Sequence, residues 1–134
     1  MLDKIQILRR LNEAGFDPDH YWAVTGAAMV LHGVKAETRD IDLGCDTELA
    51  DALQAAGCAA TVCPDGNRRI RYSEDIELFE NWRTGQVEQV ASIPVLSLAG
   101  VLEMKRQLGR EKDEKDIDLI QDFLNHHMEI SNKK

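Results

Sequence analysis

The chain is expected to fold as an α/β (α+β) domain, with a mixed or antiparallel β-sheet flanked by helices. Segments with apolar residues at helical spacing are interleaved with short stretches of strand-like alternation, and turn-forming residues separate them. The 134 residues, 43% of them hydrophobic, suit one core and one domain rather than two. We expect that domain over 1–127, with Met128 to Lys134 as a tail.

Ile5, Leu8 and Leu11 recur at helical spacing, so Asp3 to Ala14 reads as an amphipathic helix ended by Gly15. Tyr21-Trp22-Ala23-Val24 reads as a short buried strand. Thr25-Gly26 breaks it, and Ala27 to Leu31 restarts as a helix closed by His32-Gly33. Asp40-Ile41-Asp42-Leu43 alternates polar and apolar, as a half-buried strand does. Thr47 is the expected N-cap of a helix from Glu48 to Ala56, ended by Gly57.

Ala59 to Cys63 is expected to be a strand, and Pro64-Asp65-Gly66-Asn67 a turn. Arg68 to Tyr72 and Asp75 to Phe79 read as two strands joined near Ser73-Glu74. A three-residue turn would put Arg69 opposite Glu77 and Arg71 opposite Asp75. Gln86 to Ile93 is a further strand candidate. Ser97 caps a helix from Leu98 to Leu108 that Gly109 ends, and a last helix runs from about Asp113 to Asn125.

Charged residues make up 30% of the chain and the net charge is −8. That disfavours a scaffold whose task is to coat nucleic acid, though a local basic patch can still touch RNA. No apolar run approaches the ~18 residues of a membrane span, and no signal peptide is visible at Met1-Leu2-Asp3-Lys4. Three cysteines, Cys45, Cys58 and Cys63, do not make a disulfide framework in that setting, so a cytoplasmic location is expected. A zinc site from these with His32, His126 or His127 lacks any known ligand spacing.

Asp40 and Asp42 share one face of their expected strand, with Ile41 and Leu43 facing the core. Two carboxylates on one rigid strand make a hard-oxygen site of the kind Mg²⁺ requires. Asp75-Ile76-Glu77-Leu78 repeats the pattern and offers a third carboxylate. The spacing alone is unspecific: a chain this acidic holds about four such pairs by chance. Asp116-Ile117-Asp118 is one, on an expected helix where the two do not face each other. Ordinary solvated strand faces are the alternative reading.

Context narrows the choice. The run Val24-Thr25-Gly26, the short helix to His32-Gly33, and then Thr38-Arg39-Asp40-Ile41-Asp42-Leu43 resembles the nucleotidyltransferase superfamily. So do Ile93-Pro94-Val95-Leu96-Ser97-Leu98, Met104-Lys105 and Gly109 to Leu119 near the other end. The resemblance covers about Tyr21 to Leu119. It is nearest to small bacterial members with the DNA polymerase beta-like fold, related to the AbiEii-type toxin family.

The resemblance implies transfer of a nucleoside monophosphate from an NTP such as ATP to an acceptor: RNA, a protein or a small molecule. It implies Mg²⁺ or Mn²⁺ held by Asp40, Asp42 and Glu77. Thr25, Gly26 and Lys105 would contact the phosphates, and Arg39 either the substrate or an ion-pair partner. Glu77 is preferred to Asp75 because it lies between two apolar residues, whereas Asp75 adjoins the turn. One departure stands out. Where the family has Gly-Gly or Gly-Ser, this chain has Thr25-Gly26-Ala27. A non-catalytic binding member, such as a toxin–antitoxin component with a protein partner, is therefore the competing reading.

Overall fold

The computed structural model describes residues 1–132. Five α-helices pack with a seven-stranded mixed sheet, in an α/β arrangement. Leu2–Asp3 (β1) leads into helix Lys4–Ala14 (α1). Asp3 and Gln6 close a capping box at its start, and Gly15 ends it at φ 68°. Strand Tyr21–Ala23 (β2) is followed by helix Thr25–Leu31 (α2), which opens at Thr25 rather than Ala27. Glu37–Thr38 (β3) pairs only with β1.

Strand Ile41–Cys45 (β4) begins just after Asp40, and helix Thr47–Ala55 (α3) follows. Its N-cap is Asp46, whose carboxylate accepts the Leu49 N–H; Thr47, the expected cap, is its first residue. Strands Ala59–Val62 (β5), Arg68–Arg71 (β6) and Ile76–Glu80 (β7) form an antiparallel meander.

The expected strand Gln86 to Ile93 is instead a hairpin of Val87–Val90 (β8) and Ile93–Leu96 (β9). Ala91 and Ser92 turn it at φ 51° and 66°. Helix Leu98–Leu108 (α4) is capped by Ser97 and ended by Gly109, as expected. The last helix, Glu114–Asn132 (α5), is longer than the pattern suggested. Lys133 and Lys134, the end of the expected tail, lie outside the described residues.

The strand order is β5-β6-β7-β4-β2-β9-β8. β4 pairs with β7 in parallel and with β2 antiparallel. The β4–β7 register sets Ile41 beside Ile76, Asp42 beside Glu77 and Leu43 beside Leu78. Ile41, Leu43, Ile70, Ile76 and Leu78 are buried in the core with residues of α2 and α4. The alternate positions, Asp42, Glu77 and Phe79, face a groove. Strand periodicity thus separates a greasy face from a chemical one.

Candidate functional site

β4 and β7 form the floor of a groove of about 470 Å³. Asp40, Asp42 and Glu77 line it with Thr25, Gly26 and Lys105. Arg39 is exposed, in the bend that precedes β4, and is not among the lining side chains.

Asp42 is the best-held member. Thr25 Oγ1 donates to Asp42 Oδ2 at 3.2 Å. Burial pushes the Asp42 carboxyl above the usual range; Thr25 pulls it back, and the nearby Glu77 and Asp40 charges push it up further. Thr25 itself has φ 47°, a left-handed backbone conformation costly for a β-branched residue. Gly26 has a steric reason to be glycine: a Cβ there would lie 2.4 Å from Thr38 Oγ1.

Glu77 is buried and pinned. Arg69 Nη2 reaches its Oε1 at 2.8 Å, and Arg71 Nη2 reaches its Oε2 at 3.1 Å. The expected arginine register was off by two residues. Arg71 stands opposite Glu77 and Arg69 opposite Phe79, because the turn is centred one residue later. A two-residue shift keeps the side-chain face, so both arginines still meet the carboxylate.

Asp75 does not line the groove. Its side chain pairs with Arg10 of α1, and its N–H donates to Ser73 Oγ at 3.3 Å. The geometry thus separates the two third-carboxylate candidates, and Glu77 alone adjoins Asp42.

Lys105 is nearly inaccessible. Its ammonium lies 3.0 Å from Asp113 Oδ1 and 3.1 Å from Asp116 Oδ2. Lys35 pairs with Asp116 and Arg110 with Asp113, extending the network along the groove wall. Lys105 and Arg110 hold the Asp113 carboxyl below its usual range against the effect of burial. A phosphate contact by Lys105 would require it to leave one of these carboxylates.

Trp22 stands opposite Gly44 in the β2–β4 pairing. Its indole N–H donates to the Trp82 carbonyl at 2.8 Å. It packs so tightly over Gly44 that a Cβ there would lie 2.0 Å from Trp22 Nε1. The strand pattern marks Trp22 as buried but does not show that Gly44 makes room for its ring.

A separate cluster went unnoticed in the sequence. His20, Asp46 and Glu48 place ligand-type atoms within 4.8 Å of one another. His20 Nδ1 pairs with Asp46 Oδ2 at 2.5 Å, and that bond is the chief cause of a raised His20 pKa. These residues meet because β2 begins where β4 ends, with Asp46 N–H donating to the His20 carbonyl. Among the described residues, Asp40, Asp42 and Glu77 are not gathered so closely. Two arginines hold Glu77 by both oxygens.

The floor carboxylates are hard-oxygen donors in a water-accessible groove, so they fit Mg²⁺ or Mn²⁺ chemically. Cys45, Cys58 and Cys63 are free thiols, none of them in this groove. No helix among the described residues is long and apolar enough to cross a membrane.

The fold is nucleotidyltransferase-like. A crystal structure of a Thermotoga maritima protein, assigned provisionally as a nucleotidyltransferase, matches with a TM-score of 0.59. The match spans 93% of this chain and 96% of that one, at 17% identity. No family model and no curated protein matches the chain.

Proposed function

We propose that this protein is a metal-dependent nucleotidyltransferase of the small bacterial kind related to the AbiEii-type toxin family. It moves the NMP group of an NTP to an acceptor hydroxyl on RNA, a protein or a small molecule. The observation that carries this reading is the in-register Asp42–Glu77 pair beside Asp40 on the floor of one groove.

In the transfer, the acceptor oxygen forms a bond to the α-phosphorus, the bond to the bridging oxygen breaks, and pyrophosphate leaves. Asp40, Asp42 and Glu77 would hold Mg²⁺ or Mn²⁺, which would supply charge neutralisation on the phosphoryl oxygens. Glu77 orients the acceptor hydroxyl and takes its proton. Thr25 fixes the Asp42 rotamer through its hydroxyl. Arg69 and Arg71 carry positive charge to the floor, and the triphosphate offers them a stronger partner than one carboxylate. Gly26, Lys35, Lys105 and Arg110 line the part of the groove where the β- and γ-phosphates would lie.

A second reading has an observation of its own. Lys105 is neutralised by two aspartates and Glu77 by two arginines, an internally satisfied set that suits a non-catalytic nucleotide- or partner-binding member. Calorimetry of NTP binding with Mg²⁺, followed by a labelled-NTP transfer assay on cell extract, separates the two. The enzyme reading expects Mg²⁺-dependent binding that Asp42→Asn abolishes with the fold intact, together with transfer. Binding without transfer to any acceptor favours the second, and unchanged NTP affinity in Asp42→Asn overturns the metal assignment.

A further inference from the structure

Beside the groove lies a second cavity of about 290 Å³, walled by Phe79, Trp82 and Leu108 and edged by Cys63, Asn67, Asn81, Asp65 and Glu80. Phe79, Trp82 and Leu108 line both spaces, so the two adjoin. Phe79 follows Glu77 by two positions on β7, roughly 7 Å along the strand and on the same face. That distance is about the reach of a ribose.

The walls are held in place. The Phe79 and Trp82 rings meet edge to face at 5.0 Å, and the Trp82 carbonyl is tied to the Trp22 indole. Asn81 sits at φ 60°, with its N–H donated to the Cys45 carbonyl at 2.7 Å. Its Nδ2 donates to Asn67 Oδ1 at 3.0 Å, which leaves Oδ1 and the second amide hydrogen for a ligand.

The cavity is poorly suited to phosphate. Lys35, Lys105 and Lys112 line the groove but not this cavity. Arg68, which does reach it, is held by Glu80 and Asp51. Apolar and aromatic walls with one free amide at the edge suit a flat heterocycle.

We infer that this cavity holds the nucleobase of the donor nucleotide, an inference that rests on the nucleotidyl-transfer reading of the neighbouring carboxylates. The triphosphate lies along the cationic wall, the α-phosphate over Asp42, and the base against Phe79 and Trp82. A base stacked there contributes affinity that the phosphates alone do not.

The test is calorimetry on the full chain in Mg²⁺, comparing ATP, GTP, CTP, UTP and inorganic tripolyphosphate. The proteins are wild type, Trp82→Ala and Leu108→Ala, with circular dichroism to confirm folding. Leu108 is partly exposed at the end of α4, so its variant keeps the test open if Trp82→Ala misfolds. The expected result is that at least one NTP binds about tenfold or more tightly than tripolyphosphate, an advantage both variants lose while binding tripolyphosphate like wild type. The inference is overturned if tripolyphosphate binds and NTPs bind no better, or if the variants keep the NTP advantage. If neither tripolyphosphate nor any NTP binds, the underlying nucleotidyl-transfer reading falls with it.

Discussion

Arg69 donates from Nη2 to Glu77 Oε1 at 2.8 Å, across two antiparallel strands and against the groove floor. The guanidinium also lies 5.6 Å from the centre of the Phe79 ring. Half-exposed and charged, it competes with a divalent cation for the Glu77 carboxylate. Arg69→Gln is therefore expected to tighten Mn²⁺ binding several-fold without nucleotide and to weaken NTP binding in Mg²⁺. Electron paramagnetic resonance titration of free Mn²⁺ gives the first number and calorimetry the second. Movement of both affinities in the same direction would remove the arginine from this role.

Glu77→Gln is expected to abolish transfer while NTP–Mg²⁺ binding largely persists through Asp40 and Asp42. Asp75→Asn loses only a part-exposed pair with Arg10 and is expected to cost about 1 kcal/mol or less. Parallel transfer assays and denaturant melts check both. Loss of transfer in Asp75→Asn with retention in Glu77→Gln would reverse the assignment.

The Asp42 carboxyl is raised by burial and by two neighbouring carboxylates. A raised acid binds its proton more tightly in the folded state, so Asp42 costs stability as pH rises through that range. Asp42→Asn is expected to melt higher in EDTA at neutral pH, by on the order of 1 kcal/mol, while losing metal binding. Thr25→Val removes the one hydrogen bond that lowers the Asp42 pKa, so acid should abolish its Mn²⁺ affinity at higher pH than in wild type. Coincident pH profiles would show that the Thr25 hydroxyl does not tune Asp42.

Glu80, the last residue of β7, takes three hydrogen bonds from Arg68. Those bonds hold its carboxyl down at about 2. Its folded value lies below its unfolded one, so the stabilisation is complete above about 4.5 and is lost as pH falls toward 2. Glu80→Gln should cost about 3 kcal/mol at pH 7, as loss of one partner of a buried pair does, and should flatten the acid limb between those values. Chemical denaturation across that range measures it.

The sequence revealed elements whose signals are local. Alternation placed Asp42 and Glu77 on the polar face of their strands, and Gly15 and Gly109 marked helix ends that the structure shows at left-handed φ. The β8–β9 hairpin stayed hidden because Ala91 and Ser92 supply its positive φ where Asn, Asp or Gly is the usual signal. Thr25 concealed the start of α2 in the same way. The arginine register depended on where a turn is centred, which composition does not specify. Lys105 looks like any helical lysine, and only the packing of α4 against α5 and the 3-10 turn Glu111–Asp113 before it brings Asp116 and Asp113 to its ammonium.

The parallel pairing of β4 with β7 also bears on how the protein folds. The chain between them carries α3 and the β5–β6 arm, so β7 pairs with β4 only across a long loop. Closing that loop is entropically costly and slow compared with forming a helix or hairpin. Until that pairing forms, Asp40 and Asp42 have no Glu77 beside them. During refolding, the three-carboxylate arrangement arises with the long-range sheet and cannot precede it.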